Sequence, residues 1–163
     1  MGRGADWEAG AGTVENILKP SPDSSILIFG LGTVGLTALI AAKYLGVKQI
    51  IGVDIDDHKL PLAKELGATD PLNSSKVADL PTSIRDLSND LGVDYAIECT
   101  GVPSVIETML TLLANRGTAV TVGLAPAGAQ IKLDPQQFLM GSKAWLGRRE
   151  GDSGPQKYIP HQL

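Results

Sequence analysis

Three glycines, Gly30, Gly32 and Gly35, are spaced as G-x-G-x-x-G, and Asp54 follows nineteen residues after the last of them. A glycine loop at the start of a helix presents free backbone N–H groups to a ligand, and the positive end of the helix favours a negatively charged one. A carboxylate about twenty residues further on can accept hydrogen bonds from ribose hydroxyls. The spacing therefore predicts a dinucleotide site, with pyrophosphate at the glycines and ribose at the aspartate.

The elements predicted around this loop are those that such a site needs. The apolar run 24–29 is typical of a buried strand, 33–44 has the spacing of a helix, and 49–54 is a second strand. The uncharged window 24–42 is long enough to span a bilayer, but the glycines divide it into a strand, a turn and a helix that are each too short. We therefore predict a strand–helix–strand unit rather than a membrane segment.

The remainder of the chain continues the alternation of strands and helices. Such alternation predicts an α/β, doubly wound Rossmann fold with a mostly parallel, six-stranded sheet and helices on both faces. We treat residues 1–163 as one domain with its core at about 20–150. The further helices are predicted at 56–67, 80–90, 103–117 and 135–140, and the further strands at 68–73, 93–101, 118–124, 130–133 and 143–147.

The composition limits the classes of partner that the protein is expected to bind. The formal net charge is −4 and no Lys/Arg cluster is present, which disfavours nucleic acid and anionic membrane surfaces. The single cysteine, Cys99, allows no intramolecular disulfide, and the first residues contain no apolar run of a secretory signal. We therefore expect a cytoplasmic protein. Cys99, His58 and His161 lie on separate predicted elements, so we expect no zinc site among them.

The acidic residues after the second strand bear on the choice of cofactor. A 2′-phosphate on the adenosine ribose would meet Asp54, with Asp56 and Asp57 close behind it. One like-charge contact at about 4 Å costs on the order of 1–4 kcal/mol. We therefore expect NAD rather than NADP. Lys59 either reaches the ribose from the next helix or is a solvated surface lysine.

Several segments resemble the coenzyme-binding domain of zinc-dependent, medium-chain alcohol dehydrogenases, and most of all the branch that acts on aryl and benzyl alcohols. They are "GAGTVENILKPSPDSSILIFGLGTVGL", "IIGVDIDDHKLPLAKELGATD", "DYAIECTG", "TAVTVGL" and "EGDS". The resemblance implies hydride transfer between a primary, aryl-type alcohol and NAD. It also implies pyrophosphate contacts from Gly30, Gly32, Thr33, Val34 and Gly35, ribose contacts from Asp54 and Lys59, adenine contacts from Ile55 and Thr100, and nicotinamide contacts from Val34, Val122, Gly123, Leu124 and Arg148.

The same resemblance implies that parts are missing. The family carries its zinc ligands and proton relay in a catalytic domain built from sequence on both sides of this segment. Ala5 stands where the resemblance places the last zinc-binding cysteine, and Ala9 stands where it places a threonine. We therefore expect the chain to bind NAD(H) without being catalytic itself.

Two alternatives remain open at this stage. The chain is either the coenzyme half of an alcohol dehydrogenase or a non-catalytic module that binds a dinucleotide and forms a homodimer. For the dimer we expect pairing through the edge strand near Gln130–Leu133 together with 143–147. A methyltransferase that binds S-adenosylmethionine through the same loop is a third, weaker reading, because Phe29 stands where that class usually has an acidic residue.

Overall fold

A computed structural model of the chain describes residues 3–149. The "EGDS" stretch and His161 lie outside these residues. The strands are β1 (Ser25–Phe29), β2 (Gln49–Asp54), β3 (Asp70–Asn73), β4 (Val93–Glu98), β5 (Leu113–Thr121) and β6 (Ala144–Gly147). These six strands form one parallel sheet in the order β3-β2-β1-β4-β5-β6, which confirms the predicted doubly wound fold.

Helices cover both faces of this sheet. Ile26 and Ile28 of β1 face one hydrophobic cluster, while Leu27 and Phe29 face the other, because successive side chains of a strand point to opposite sides. The helical elements are α1 (Arg3–Gly12), a π-helical turn (Thr13–Leu18), α2 (Thr33–Tyr44), a 3-10 turn (Asp57–Lys59), α3 (Leu60–Leu66), α4 (Leu80–Leu87), α5 (Pro103–Thr111) and α6 (Pro135–Gly141). The first cluster is built with α1, the π-helical turn, α2 and α3, and the second with α4 and α5.

The first helix, α1, was not predicted, and it packs against the start of α2. A Cβ atom built on Gly10 would lie 2.0 Å from the Thr37 hydroxyl oxygen and 2.1 Å from the Val34 carbonyl oxygen. Any larger residue at position 10 would clash with α2, so glycine is needed for the backbones of α1 and α2 to lie this close together. This contact fixes the N-terminal segment beside the helix that begins at the glycine loop.

The structure corrects the prediction of one helix over 103–117. Helix α5 ends at Thr111, and β5 begins at Leu113. The pairing shifts between Val93, opposite Leu113, and Tyr95, opposite Thr118, so the extra residues form an irregularity in the strand. The apolar residues that continue the helical pattern are instead buried in the sheet.

The predicted strand at 130–133 was also wrong. Residues 130–133 form no strand, and the backbone N–H of Lys132 donates to Oε1 of Glu107 on α5 at 2.7 Å. Strand β6 therefore forms this edge of the sheet, and β3 forms the opposite edge. None of the helices within residues 3–149 combines the length and apolar character that crossing a bilayer requires.

Candidate functional site

The candidate site lies at the carboxyl ends of the two central strands. The chain leaves β1 for α2 on one face of the sheet and leaves β4 for α5 on the other. A crevice opens where neighbouring connections diverge in this way, and ligands of open α/β sheets bind there. The glycine loop that joins β1 to α2 forms one wall of this crevice.

A different geometric feature explains why glycine occupies each of the three positions. Gly30 has a φ angle of +90°, which other residues rarely adopt. A Cβ atom on Gly35 would lie 1.7 Å from the Gly30 carbonyl oxygen, so the helix packs directly on the turn. Gly32 is exposed, and a Cβ atom built on it meets no heavy atom within 4 Å. The open side at Gly32 leaves room for a ligand to approach the backbone.

The first turn of α2 has N–H groups to offer such a ligand. Gly32 is the N-cap residue and supplies no side-chain hydrogen bond to the helix start. Thr33 and Val34 follow it at the first two helical positions. Free N–H groups and the helix dipole together favour a phosphate at this point.

Asp54, the last residue of β2, is buried and tied to the glycine loop. Its Oδ2 atom accepts a hydrogen bond from the Leu31 N–H at 2.7 Å and lies 3.7 Å from Nζ of Lys59. Its Oδ1 atom accepts from the Asp56 N–H at 3.0 Å. A carboxylate offers about four lone-pair positions, so each oxygen keeps capacity for a hydroxyl donor. The ammonium group of Lys59 therefore lies beside Asp54, while its side chain remains exposed to solvent.

Two further carboxylates, Asp56 and Asp57, follow Asp54 after the end of β2. The backbone N–H of His58 donates to Asp56 and lowers the pKa of that carboxyl below its usual range. The pKa of Asp57 is also lowered, first by the hydrogen bond from Lys76 and then by the one from Asn73. His58 itself is exposed on the 3-10 turn, and its Nδ1 atom lies 3.0 Å from Oδ1 of Asp56. Both aspartates are therefore ionised at neutral pH.

The other end of the crevice is a cleft of about 740 Å³. That volume lies in the range of small-molecule sites. It is lined by all five residues that the resemblance assigned to nicotinamide and by both Ala5 and Ala9. These lining residues include Val34, Val122, Gly123, Leu124 and Arg148, with Ala5, Asp6 and Ala9 from α1.

The adenine side of the site is more loosely defined. Ile55 is 74% exposed directly after Asp54, where it offers an apolar surface to a ligand. Thr100 lies across the crevice, and its methyl carbon is 3.0 Å from the position of a Cβ atom on Gly30. The two residues are thus on opposite walls of the predicted adenosine site.

Sequence reasoning missed Glu98, the last residue of β4. Its carboxylate is fully buried and accepts hydrogen bonds from the residues that begin the next loop. The only signal in the sequence is one charged residue at the end of the apolar strand "DYAIE", which is weak. The structure alone shows what this carboxylate holds.

The described residues do not fit a zinc site. Across residues 3–149, no three His, Cys, Asp or Glu side chains come close enough to hold a metal ion. Ala5, which lines the cleft, has no donor atom. Burial raises the pKa of the Cys99 thiol, and the neighbouring Glu98 carboxylate raises it further, so the thiol is protonated and a poor ligand.

A parallel sheet of this strand order, with a G-x-G-x-x-G turn at its central crevice, defines a Rossmann-type dinucleotide-binding domain. Residues 33–161 match the family described as zinc-binding dehydrogenase. The chain therefore belongs to the zinc-binding dehydrogenase family.

Individual relatives agree with this assignment. The chain is 38% identical over 159 residues to the class-3 alcohol dehydrogenase of Pisum sativum, covering 96% of this chain and 42% of that protein. Benzyl alcohol dehydrogenase from Acinetobacter calcoaceticus superimposes with a TM-score of 0.92 at 40% identity over 98% of this chain. A zinc-binding dehydrogenase from Sinorhizobium meliloti 1021 bound to NADP gives a TM-score of 0.80 at 28% identity, covering 90% of this chain and 44% of that one.

The chain spans less than half the length of these relatives, 42% of the Pisum protein and 44% of the Acinetobacter one. The matched part of the Acinetobacter structure has the same fold as this chain.

Proposed function

We propose that this chain binds NAD(H) as the coenzyme-binding part of an alcohol dehydrogenase-type oxidoreductase. The observation that carries the proposal is the glycine cradle joined to a buried Asp54 at the sheet crevice. When bound, the nicotinamide supplies a carbon that gives or takes hydride. The chain's own residues bind the pyrophosphate, accept the ribose hydroxyls and enclose the nicotinamide end in the apolar cleft.

NAD is the form of the cofactor that the charges favour. Asp54 is buried beside the ribose position, and the ionised Asp56 and Asp57 follow it. The pairing of Lys59 with Asp54 and of Lys76 with Asp57 leaves both lysines engaged. A 2′-phosphate would therefore enter a site whose nearest cations already have carboxylate partners.

The parent reaction that we propose is hydride transfer between a primary, aryl-type alcohol and NAD. The similarity to a benzyl alcohol dehydrogenase supports this substrate class. The chain alone is expected to bind the cofactor without oxidising alcohol, because Ala5 and Ala9 line the cleft where a metal ligand or a proton-transferring group would be needed. Zinc-dependent turnover of benzyl alcohol by the purified chain would contradict this expectation.

Gly32 gives the sharpest test of the binding site. Gly32→Val adds a side chain into open space, so the fold should persist while the pyrophosphate is excluded. We expect the melting temperature to change little and the affinity for NADH, measured by fluorescence titration, to fall at least tenfold. Leu91→Ser, at an exposed position, is the control and should leave both unchanged. Undiminished NADH binding by Gly32→Val would place the ligand elsewhere.

We also propose that the chain forms a homodimer. We further propose a cytoplasmic location, with which the single cysteine is consistent. Since 130–133 is not a strand, pairing would use the free edge of β6. Leu139 and Met140 on α6 are 79% and 75% exposed, and Trp145 on β6 is half-buried, so apolar surface adjoins this edge. Light scattering at micromolar concentration tests this proposal, and a monomer there would count against it.

A further inference from the structure

Glu98 ends the central strand β4 at the floor of the crevice. It pairs in register with Phe29 of β1 and with Thr121 of β5, and its side chain has no exposed surface. A buried carboxylate is costly unless hydrogen bonds replace the lost hydration. The hydrogen bonds of the Glu98 carboxylate therefore identify the part of the chain that this side chain holds in place.

One carboxylate oxygen takes all of these bonds. Oε1 accepts from the backbone N–H of Thr100, from the Thr100 hydroxyl at 2.6 Å and from the Gly101 N–H at 2.5 Å. Oε2 is also buried, and among the described residues it has no hydrogen-bond partner. Any movement of residues 100–101 would leave both oxygens without donors in a buried position, so the carboxylate strongly favours a single conformation of this loop.

The loop that Glu98 fixes touches both neighbouring loops of the crevice. The Thr100 methyl lies 3.0 Å from the position of a Cβ atom on Gly30. A Cβ atom on Gly123 would be 2.2 Å from the Gly101 nitrogen, and one on Gly101 would be 2.4 Å from the Leu124 carbonyl oxygen. These backbones are in direct contact, so the position of Thr100 and Gly101 sets the spacing between the glycine loop and the loop after β5.

We infer that Glu98 is a positioning residue for the dinucleotide, a role that rests on the proposed function. Glu98 does not touch the cofactor in this arrangement. It holds the loop at residues 100–101 between the pyrophosphate-binding turn and the residues assigned to nicotinamide. Loss of the carboxylate should therefore weaken cofactor binding even in protein that remains folded.

The test compares NADH affinity in the folded state. The wild-type chain, Glu98→Gln, Glu98→Ala and Ile84→Val are titrated calorimetrically with NADH at a temperature well below each melting temperature. Ile84 is fully buried in α4, in the cluster on one face of the sheet, so Ile84→Val reports general destabilisation. Exchange of the Gly101 amide hydrogen, followed by NMR, reports the anchored loop directly.

We expect the NADH dissociation constant to rise at least tenfold in Glu98→Ala and at least threefold in Glu98→Gln, with faster Gly101 amide exchange in both. Ile84→Val should lower the melting temperature without changing the affinity. Where Glu98→Ala does not fold, Glu98→Gln alone decides. Affinities within twofold of the wild type for the folded Glu98 variants would overturn the inference. A wild-type chain that binds neither NADH nor NADPH would instead overturn the proposed function.

Discussion

Neutralising Asp54 should weaken NADH binding and reduce the preference for NADH over NADPH. Asp54→Asn keeps the size of the side chain but removes its charge. In the wild type, Oδ2 accepts from the Leu31 N–H at 2.7 Å, and both oxygens retain capacity for ribose hydroxyls. The substitution therefore acts on the ribose site and on the glycine loop together.

The size of the effect follows from the bonds that change. A hydrogen bond to a charged group contributes about 1.5–3 kcal/mol, against about 0.5–1.5 kcal/mol for a neutral pair. Two ribose hydroxyls therefore lose about 2–3 kcal/mol in total, which corresponds to a roughly 30- to 150-fold weaker NADH complex. For NADPH, the same loss is offset by removal of a like-charge contact of about 1–4 kcal/mol.

Asp56→Asn is the matched control, two residues further along the chain. Asp56 accepts a hydrogen bond from the His58 N–H, and within residues 3–149 its side chain has no hydrogen bond to the glycine loop. Calorimetric titration of both variants with NADH separates the loss of ribose hydrogen bonds from a general loss of negative charge, and titration with NADPH reports the charge that opposes a 2′-phosphate. If Asp54→Asn changed the NADH affinity no more than Asp56→Asn does, the assignment of Asp54 to the ribose would be refuted.

Three further outcomes are expected. Gly35→Ala should destabilise the fold by at least about 3 kcal/mol in urea denaturation, because its Cβ would lie 1.7 Å from the Gly30 carbonyl oxygen; a loss below 1 kcal/mol would show that the turn yields easily. Lys76 lowers the pKa of Asp57, so their pairing stabilises the fold at neutral pH and is lost as the pH falls below about 4. Lys76→Met should therefore have a lower melting temperature than the wild type at pH 7 and the same melting temperature at pH 2.5. A difference in melting temperature that persists at pH 2.5 would exclude the ion pair as its cause. Ala5→Cys should place a thiol in the cleft whose alkylation slows at least fivefold with saturating NADH, and equal rates would put position 5 away from the cofactor.

The parts of the fold that the sequence predicted well are those with strong local signals. Helix α2 and strand β2 have the predicted bounds, Thr33–Tyr44 and Gln49–Asp54. Glycines mark their ends, since Gly32 caps the helix and Gly46, with a φ of +78°, follows it. Local backbone requirements of this kind are visible in one sequence.

The errors occur where tertiary contacts override the local pattern. Leu112 and Leu113 continue a helical spacing, but Leu113 pairs with Val93 in the sheet, and both leucines are buried. Helix α1 contains many small residues and no clear apolar stripe, and it is stabilised by its close packing at Gly10. Polar and apolar residues alternate over 130–133 as in a strand, yet the backbone N–H of Lys132 donates to Glu107 on α5 instead of to a neighbouring strand.

The residues of the candidate site likewise fall into those that local sequence could predict and those that depend on tertiary contacts. The glycine loop and Asp54 could be predicted because their chemistry depends on spacing along the chain. Glu98 could not, since its importance depends on Thr100 and Gly101 folding back onto its carboxylate and on contacts with two other loops. The cleft beside Ala5 likewise exists only because α1 packs against the start of α2.

The most direct test of the central claim is a calorimetric titration of the wild-type chain with NADH and, separately, with NADPH. The account predicts saturable binding of NADH at one site per chain and at least tenfold weaker binding of NADPH, because Asp54 and the aspartates behind it oppose a 2′-phosphate. Binding of neither cofactor by the folded chain would contradict the account.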